Sequence, residues 1–534
     1  MSMAQPDYRN PAECLERLQR LHLTDLAGSH RTLREMVATL LQFPPAPNQH
    51  LEVLETARPH IAFVQGELGN RYAAHPLPPD STENATLLQV AELWSDLANS
   101  CGLILQRDAE FHTLADQHAL LAQRRLHYAG QVIVEYYRAH RSVPAGAWLQ
   151  LHRHYQEAEK MGVARVRVAD PLNEVWRAQS SGEAYVATLL VDVANPFSRG
   201  EREFNWVCRW AQRFAPYCTL SNPAEGEAPG KYGLDLGQDH GLRPGGLLAA
   251  APTLRRFDSQ RLAGQIQAIM TQFKQGVSPA TLGLGEDCPA DVAARLLLSL
   301  YRPWGLAAAG RKYPRRGSRG AAQVTVDWPA IAFYIEGRPF EAPRAGNRAT
   351  SLETDLNFMT FGARVENTDD WDDHRRAAVA REKGYFCLPW QVADQSVGGF
   401  RVQRHPQGER TEHHQLVGVR PPDGDQFLLG RVSWLMFRQD GMLEAGIQML
   451  PGLPRVVAVR TPGVGSDHRE AYHLAFMLPP VPALKTEASL VLPSGWFRPE
   501  RLIEIHGEPP LRVQLTKLVE RGANFDQVSF TSVA

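Results

Sequence analysis

Cysteine is scarce and scattered. Six residues (Cys14, Cys101, Cys208, Cys218, Cys288 and Cys387) are spread over 534 positions and never form Cys-x-x-Cys. That argues against a zinc ribbon or a disulfide framework and for a reducing compartment. Net charge is also missing: 57 Lys and Arg against 58 Asp and Glu leave −1. No global field recruits nucleic acid or an anionic membrane, so any anion site must be built locally. Long apolar runs are absent. The nearest, Tyr185 to Ala194, is short and carries Asp192, so insertion into a membrane is not expected. The opening residues have no apolar core and do not read as a signal peptide, which makes the cytoplasm the expected location. The chain has no G-x-S-x-G, no H-E-x-x-H, no P-loop and no Cys–His pairing signal. The expectation is a non-enzymatic protein without metal or cofactor.

What remains is a soluble-type composition, 43% hydrophobic and 22% charged, in a chain too long for one ordinary core. The pattern predicts a multidomain α+β protein. Residues 1–165 read as a helical bundle or repeat-like domain. Leu15, Leu18, Leu33, Met36, Val37, Leu40 and Leu41 recur at helical steps, Pro44-Pro45 breaks the run, and Ser81-Thr82-Glu83-Asn84 reads as a helix start. Residues 166–305 read as a mixed α/β domain, with helices at Ser181–Leu190, Glu201–Phe214, Ser259–Gln275 and Ala290–Tyr301. Residues 306–455 read as a β-barrel interrupted by a polar insertion at 338–386, and 456–534 as a β extension packed on that barrel. Pro421-Pro422-Asp423-Gly424 and Arg438-Gln439-Asp440-Gly441 lie between alternating runs, a strong hairpin signal.

Two features of the first half could carry chemistry. His127, His140, His152 and His154 lack the spacing of a metal site and are expected at the surface or facing a partner. The loop Gly237 to Gly246 is glycine-rich but does not open a helix as a phosphate loop would, so it reads as a turn.

The second half has two sharper features. Arg311-Lys312-Tyr313-Pro314-Arg315-Arg316-Gly317-Ser318-Arg319 puts four arginines and a lysine into nine residues. Proline and glycine keep it out of a helix, and a strand from Ala322 to Val326 follows. Planar guanidiniums on an extended segment can grip phosphate in bidentate fashion and stack on bases. The other feature is the corner Asp394-Gln395-Ser396-Val397-Gly398-Gly399 between two alternating runs. Asp394 and Ser396 offer an acceptor and a donor, while Gly398 and Gly399 permit positive φ or close approach by another surface. An Asx-turn that only caps its own backbone is the competing reading.

Taken in order, Arg311-x-x-x-Arg315 before a strand and Asp394-x-Ser396-x-x-Gly399 after it resemble the two motifs of the PilZ domain. That module is the bacterial receptor for cyclic di-GMP. The hairpin Leu429–Leu435 with Leu443–Gln448 is similar to that family's closing strands, and the resemblance spans about 305 to 455. It implies a cytoplasmic receptor of cyclic di-GMP. Arg311 and Arg315 are the favoured phosphate and guanine ligands, Arg316 and Arg319 are alternates, Asp394 and Ser396 serve the base edges, and Gly398 and Gly399 leave room. It also implies that the loop before the first barrel strand orders on binding and relays to a protein partner through the helical region. Residues 316 to 393, including the insertion, separate the two motifs, farther than in the family. A barrel that has lost its ligand and serves as a nucleotide-independent adaptor is the alternative. Single-stranded nucleic acid is not expected as a partner, since no broad basic groove is present.

Overall fold

The computed structural model describes residues 7–223, 230–306, 316–317, 320–343, 373–396, 398–462 and 471–533. The chain divides into two compact units. The first takes in residues 1–75, 79–312 and 436–439, the second 76–78, 313–435 and 440–534.

The first unit is mainly helical: α1 (Pro11–Gln19), α2 (Leu26–Gln42), α3 (Pro47–Gly69), α4 (Ser81–Phe111), α5 (His118–Arg138), α6 (Ala147–Lys160), α7 (Ser181–Val193), α8 (Glu201–Phe214), α9 (Gln260–Lys274) and α10 (Ala290–Tyr301). Short strands β1 (Arg167–Ala169) and β2 (Ala178–Ser180) form a pair, and β3 (Thr219–Ser221), β4 (Tyr232–Asp235), β5 (Arg243–Pro244) and β6 (Leu254–Asp258) form a small sheet. Helix starts follow local chemistry. Asp80 and Glu83 make a reciprocal capping box on α4, and Ser180 and Glu183 make another on α7. Helix α6 begins at Gly146, which has no capping side chain. The Asp239 carboxylate, from the glycine-rich loop, accepts instead from the amides of Gly146 (2.6 Å), Trp148 (3.1 Å) and Leu149 (3.2 Å). The loop is a turn whose acid satisfies a helix end.

The expected boundary at 165 does not exist as a break in packing. One apolar core runs from Tyr8 to Trp304, including Leu54, Leu97, Leu126, Tyr185, Trp210 and Leu297. Buried ion pairs cross the same line. Arg58 of α3 holds Asp170 through two bonds (2.7 and 3.0 Å), and the Arg124 guanidinium of α5 lies 3.6 Å from the same carboxylate. Removing one partner of such a buried pair costs roughly 3–5 kcal/mol, so these contacts weld the two segments.

The histidine expectation also changes. His140, His152 and His154 are buried at 2%, 0% and 7% exposure. His152 sits between the Tyr185 hydroxyl (2.8 Å) and the His240 carbonyl (3.1 Å), and burial pushes its imidazole down to about 4. Helical spacing placed His152 and His154 correctly on α6, whereas His140 falls just beyond the end of α5, with φ of +51°. Which face of α6 is covered depends on α7 and the 239–241 loop. Among the described helices none is long and apolar enough to cross a membrane.

The second unit holds two closed antiparallel rings. In the first, β8 (Ala321–Thr325), β9 (Leu388–Ser396), β10 (Gly399–Arg404), β13 (Leu443–Met449), β12 (Leu428–Phe437) and β11 (Leu416–Arg420) follow one another around the barrel. Pairing of β9 with β10 closes it. A two-residue strand, β7 (Arg316–Gly317), lies against β9 beyond the end of β8. Helix α11 (Trp328–Glu336) follows β8, and another helix, Asp373–Lys383, precedes β9. The insertion therefore leaves and re-enters between two neighbouring strands, with Ala321 opposite Gln391 and Val324 opposite Leu388. Residues 344–372 of it lie outside the described residues.

The expected β extension is a barrel in its own right. Strands β14 (Arg455–Arg460), β15 (His473–Leu478), β16 (Ser489–Pro493), β19 (Phe525–Ser532), β18 (Leu511–Arg521) and β17 (Leu502–Ile505) close through β14 and β17. Val459, Leu490, Leu492, Ile503, Val513, Leu515 and Val528 fill it. It packs on the first ring through Phe476, Leu478, Val491 and Phe525, which meet Leu416, Leu429, Leu450 and Ile331 of α11. Each such side chain contributes about 1.5–3 kcal/mol when fully buried.

Candidate functional site

The corner after β9 is shaped by a β-bulge. Val392 faces Val402 on β10, but Arg401 faces Asp394, so Ala393 is the extra residue. Simple alternation would send Asp394 and Ser396 inward with Trp390 and Val392, which are buried. The bulge reverses that parity. Asp394 and Ser396 come out on the face of Arg401, while Phe400 and Val402 stay in the core. A strand that spends its first half filling a barrel thus spends its second half presenting polar groups.

Strand β7 completes the edge. Gly317 stands opposite Asp394 and Arg316 opposite Gln395. Arg316 and Gly317 are therefore neighbours of the Asp394 corner in one sheet, despite the residues between them in sequence. Within that pairing the two β7 residues differ. Gly317 shares the face of Asp394, and no described atom lies within 4 Å of where its Cβ would stand. Arg316 is exposed and shares the face of Gln395, the opposite one. Of the four arginines, Arg316 is the one the structure describes; Arg311, Arg315 and Arg319 lie outside the described residues.

The two glycines have structural work of their own. The Gly398 carbonyl accepts from the Met449 amide at 3.1 Å. Gly399 has φ of +154°, and an added Cβ would run into the Ile447 carbonyl on β13. Its bare backbone is thus required by the neighbouring strand whether or not a ligand approaches. The Ser396 hydroxyl donates to the Gly399 carbonyl at 3.4 Å, a weak bond that still leaves lone pairs to offer.

Arg401 and Glu444 were not singled out in the sequence. The Arg401 guanidinium bonds Glu444 at 2.6 Å and lies 3.9 Å from the Asp394 carboxylate. Glu444 is buried and also accepts from Gln403 at 3.2 Å. The face therefore carries a fixed row of carboxylate, guanidinium and carboxylate. Arg401 sits two residues after Gly399, a strand spacing that puts both on one face, and that spacing was the available signal. Beside it Trp434 of β12 covers Gly446, the residue opposite Arg401. The arrangement can donate to an anion from Arg401 and accept from a base edge through Asp394.

Comparisons with known proteins match both ends of the chain. The model described as "Cyclic-di-GMP receptor FimW, N-terminal domain" matches residues 12–225, and "FimW C-terminal beta-barrel domain" matches 457–533. The first crosses residue 165 without a break, in line with the continuous core. The second covers the second barrel. The Cyclic-di-GMP receptor FimW of Pseudomonas aeruginosa PAO1 is 23% identical over 561 aligned residues, spanning 96% of this chain and 89% of that protein.

Proposed function

The chain carries both terminal domains of the FimW family and belongs to it, and on that premise we propose that it is a receptor of cyclic di-GMP rather than a catalyst. We place the ligand on the outward face of the first barrel, which we read as PilZ-like. The observation that carries this reading is the bulge at Ala393, which turns Asp394 and Ser396 out beside Arg401, on the strand edge where Arg316 and Gly317 pair with β9. Two phosphates and two guanines are what such a site suits. Arginines pair with phosphate and with the O6/N7 edge of guanine, and a carboxylate accepts from guanine nitrogens. Arg311 and Arg315 remain the favoured pair. Arg316 faces away from Asp394 and is assigned a lesser part. A change at the basic segment on binding would then be passed to the helical unit, provided the ligand prefers one arrangement.

The competing reading is that the corner serves only the scaffold, and the Ser396–Gly399 bond and the tight seat of Gly399 favour it. Isothermal titration separates the two. Binding of cyclic di-GMP is expected, with Arg315→Ala and Asp394→Ala each costing about 1–3 kcal/mol, the scale of a charge-assisted contact left unpaired. Absence of heat, or unchanged affinity in both variants, would favour the scaffold reading.

A further inference from the structure

The apolar run Tyr185 to Ala194 carries one charge, Asp192, and Gly241 of the glycine-rich loop lies against it. With Tyr137 of α5, Trp148 of α6, Phe197 and Arg243 they line a cleft of about 220 Å³, every wall of which belongs to the first unit.

Asp192 is only half used. One carboxylate oxygen accepts from the Tyr137 hydroxyl. The other, Oδ2, has no hydrogen-bond or ion-pair partner among the described residues, and it is not sealed in by neighbouring atoms. Burial raises this carboxyl above its ordinary value, against the Tyr137 bond and the charge of Arg243. Asp239, the other acid of the cleft, is taken up by the amides that open α6. Arg243 is exposed, and its guanidinium also has no hydrogen bond or ion pair among the described residues. An acid and a base thus line one cleft without touching.

Gly241 keeps the space in front of the acid open. Its φ is not in the left-handed range, so its backbone would accept another residue. An added Cβ would instead run into Asp192 Oδ2 and stand 3.1 Å from Cζ2 of Trp148. The glycine therefore preserves a gap between a carboxylate and an indole. The rings of Tyr137 and Phe197 meet edge to face at 5.4 Å and extend the aromatic wall.

We propose that this cleft binds a free amino acid, its ammonium on Asp192 Oδ2 beside Trp148 and its carboxylate on Arg243. A lone cation would face Arg243 and a lone anion would face Asp192, whereas a zwitterion answers both charges. The aromatic walls cover the apolar part of such a molecule and favour an ammonium beside them. The volume is below that of a pocket for a drug-sized ligand, which suits a single amino acid rather than a peptide. This inference does not depend on nucleotide binding at the first barrel.

The test is isothermal titration of the full chain, without nucleotide, with each of the standard L-amino acids in turn. At least one is expected to bind. Its N-acetyl and carboxamide derivatives, each short of one charge, should bind about tenfold more weakly or worse. Arg243→Gln, at an exposed position, should weaken the same amino acid about tenfold with Tm unchanged. Gly241→Ala, which fills the gap, should abolish its binding, and so should Asp192→Asn, which keeps an acceptor for Tyr137. No heat from any of the amino acids would overturn the proposal. So would a bound amino acid whose blocked derivatives bind equally well, or one that Arg243→Gln and Gly241→Ala hold as tightly as the native chain.

Discussion

The second unit holds two six-stranded antiparallel barrels that use their acids in opposite ways. In the barrel of β14–β19 the buried carboxylates are taken up by its own chain. Asp526, with no exposed surface, accepts from the amides of Gly495 (3.0 Å) and Phe497 (3.1 Å) and from Arg521 (3.0 Å). Glu504 accepts from Arg460 and, at 2.9 Å, from the Tyr472 hydroxyl. In the barrel of β8–β13 a bulge turns Asp394 outward beside Arg401. The second ring closes both of these acids on itself; the first closes Glu444 in the same way but presents Asp394. The same architecture therefore says little about function; the direction of a few side chains says more.

The comparison can be broken most forcefully in the second barrel. Asp526→Ala leaves the amides of Gly495 and Phe497 without their acceptor, and is expected to cost about 3 kcal/mol of stability in urea denaturation while leaving nucleotide affinity untouched. A variant with native stability would mean that its carboxylate is not structural. Gly399→Ala comes next. Its Cβ has no room against Ile447, and the positive φ adds strain, so a loss of about 2 kcal/mol is expected together with weakened nucleotide binding. Asp394→Ala should separate the two readouts, weakening binding with stability kept within about 0.5 kcal/mol.

Acid sharpens the contrast. Burial alone would raise the Glu504 carboxyl, but hydrogen bonds from Arg460 and Tyr472 and the charge of Arg460 prevail and lower it. Because the folded state holds this proton less tightly than the unfolded one, its contribution is present above the ordinary carboxylate range. It is lost as pH falls through the lowered value. Thermal melts of Glu504→Gln should therefore depend less on pH below about 4.5 than those of the native chain. Arg316→Ala is placed last. Its face is opposite to Asp394, so titration should show a change in affinity under about 0.5 kcal/mol. A loss as large as that of Arg315→Ala would reassign the arginine pair.

Much of this was legible in the residues. The strand from Trp390, the hairpins at Asp423-Gly424 and Asp440-Gly441, and the helices at Glu201 and Ala290 follow local periodicity and turn chemistry, and they stand where that chemistry puts them. The closure of the second barrel was not legible. Val459 pairs with Ile505 and Leu490 with Val528, partners far apart in sequence that no local pattern names. The bulge was hidden for a related reason. Trp390, Val392, Asp394 and Ser396 read as one unbroken alternation, and only the β10 partner shows that Ala393 is extra. The burial of His152 and His154 likewise depends on surfaces supplied by other segments. For the site, the motif residues could be named from sequence, but not which face they would take. Arg401 and Glu444 emerged only when β10 and β13 were laid side by side.

Amide hydrogen exchange of the full chain with and without cyclic di-GMP tests the central claim most directly. Slowed exchange at Gly317, Asp394–Ser396 and Gly399–Arg401, with Gly495, Phe497 and Asp526 unchanged, is the outcome this account predicts. Slowed exchange confined to the second barrel, or no change at the Asp394 corner at a saturating nucleotide concentration, would contradict it.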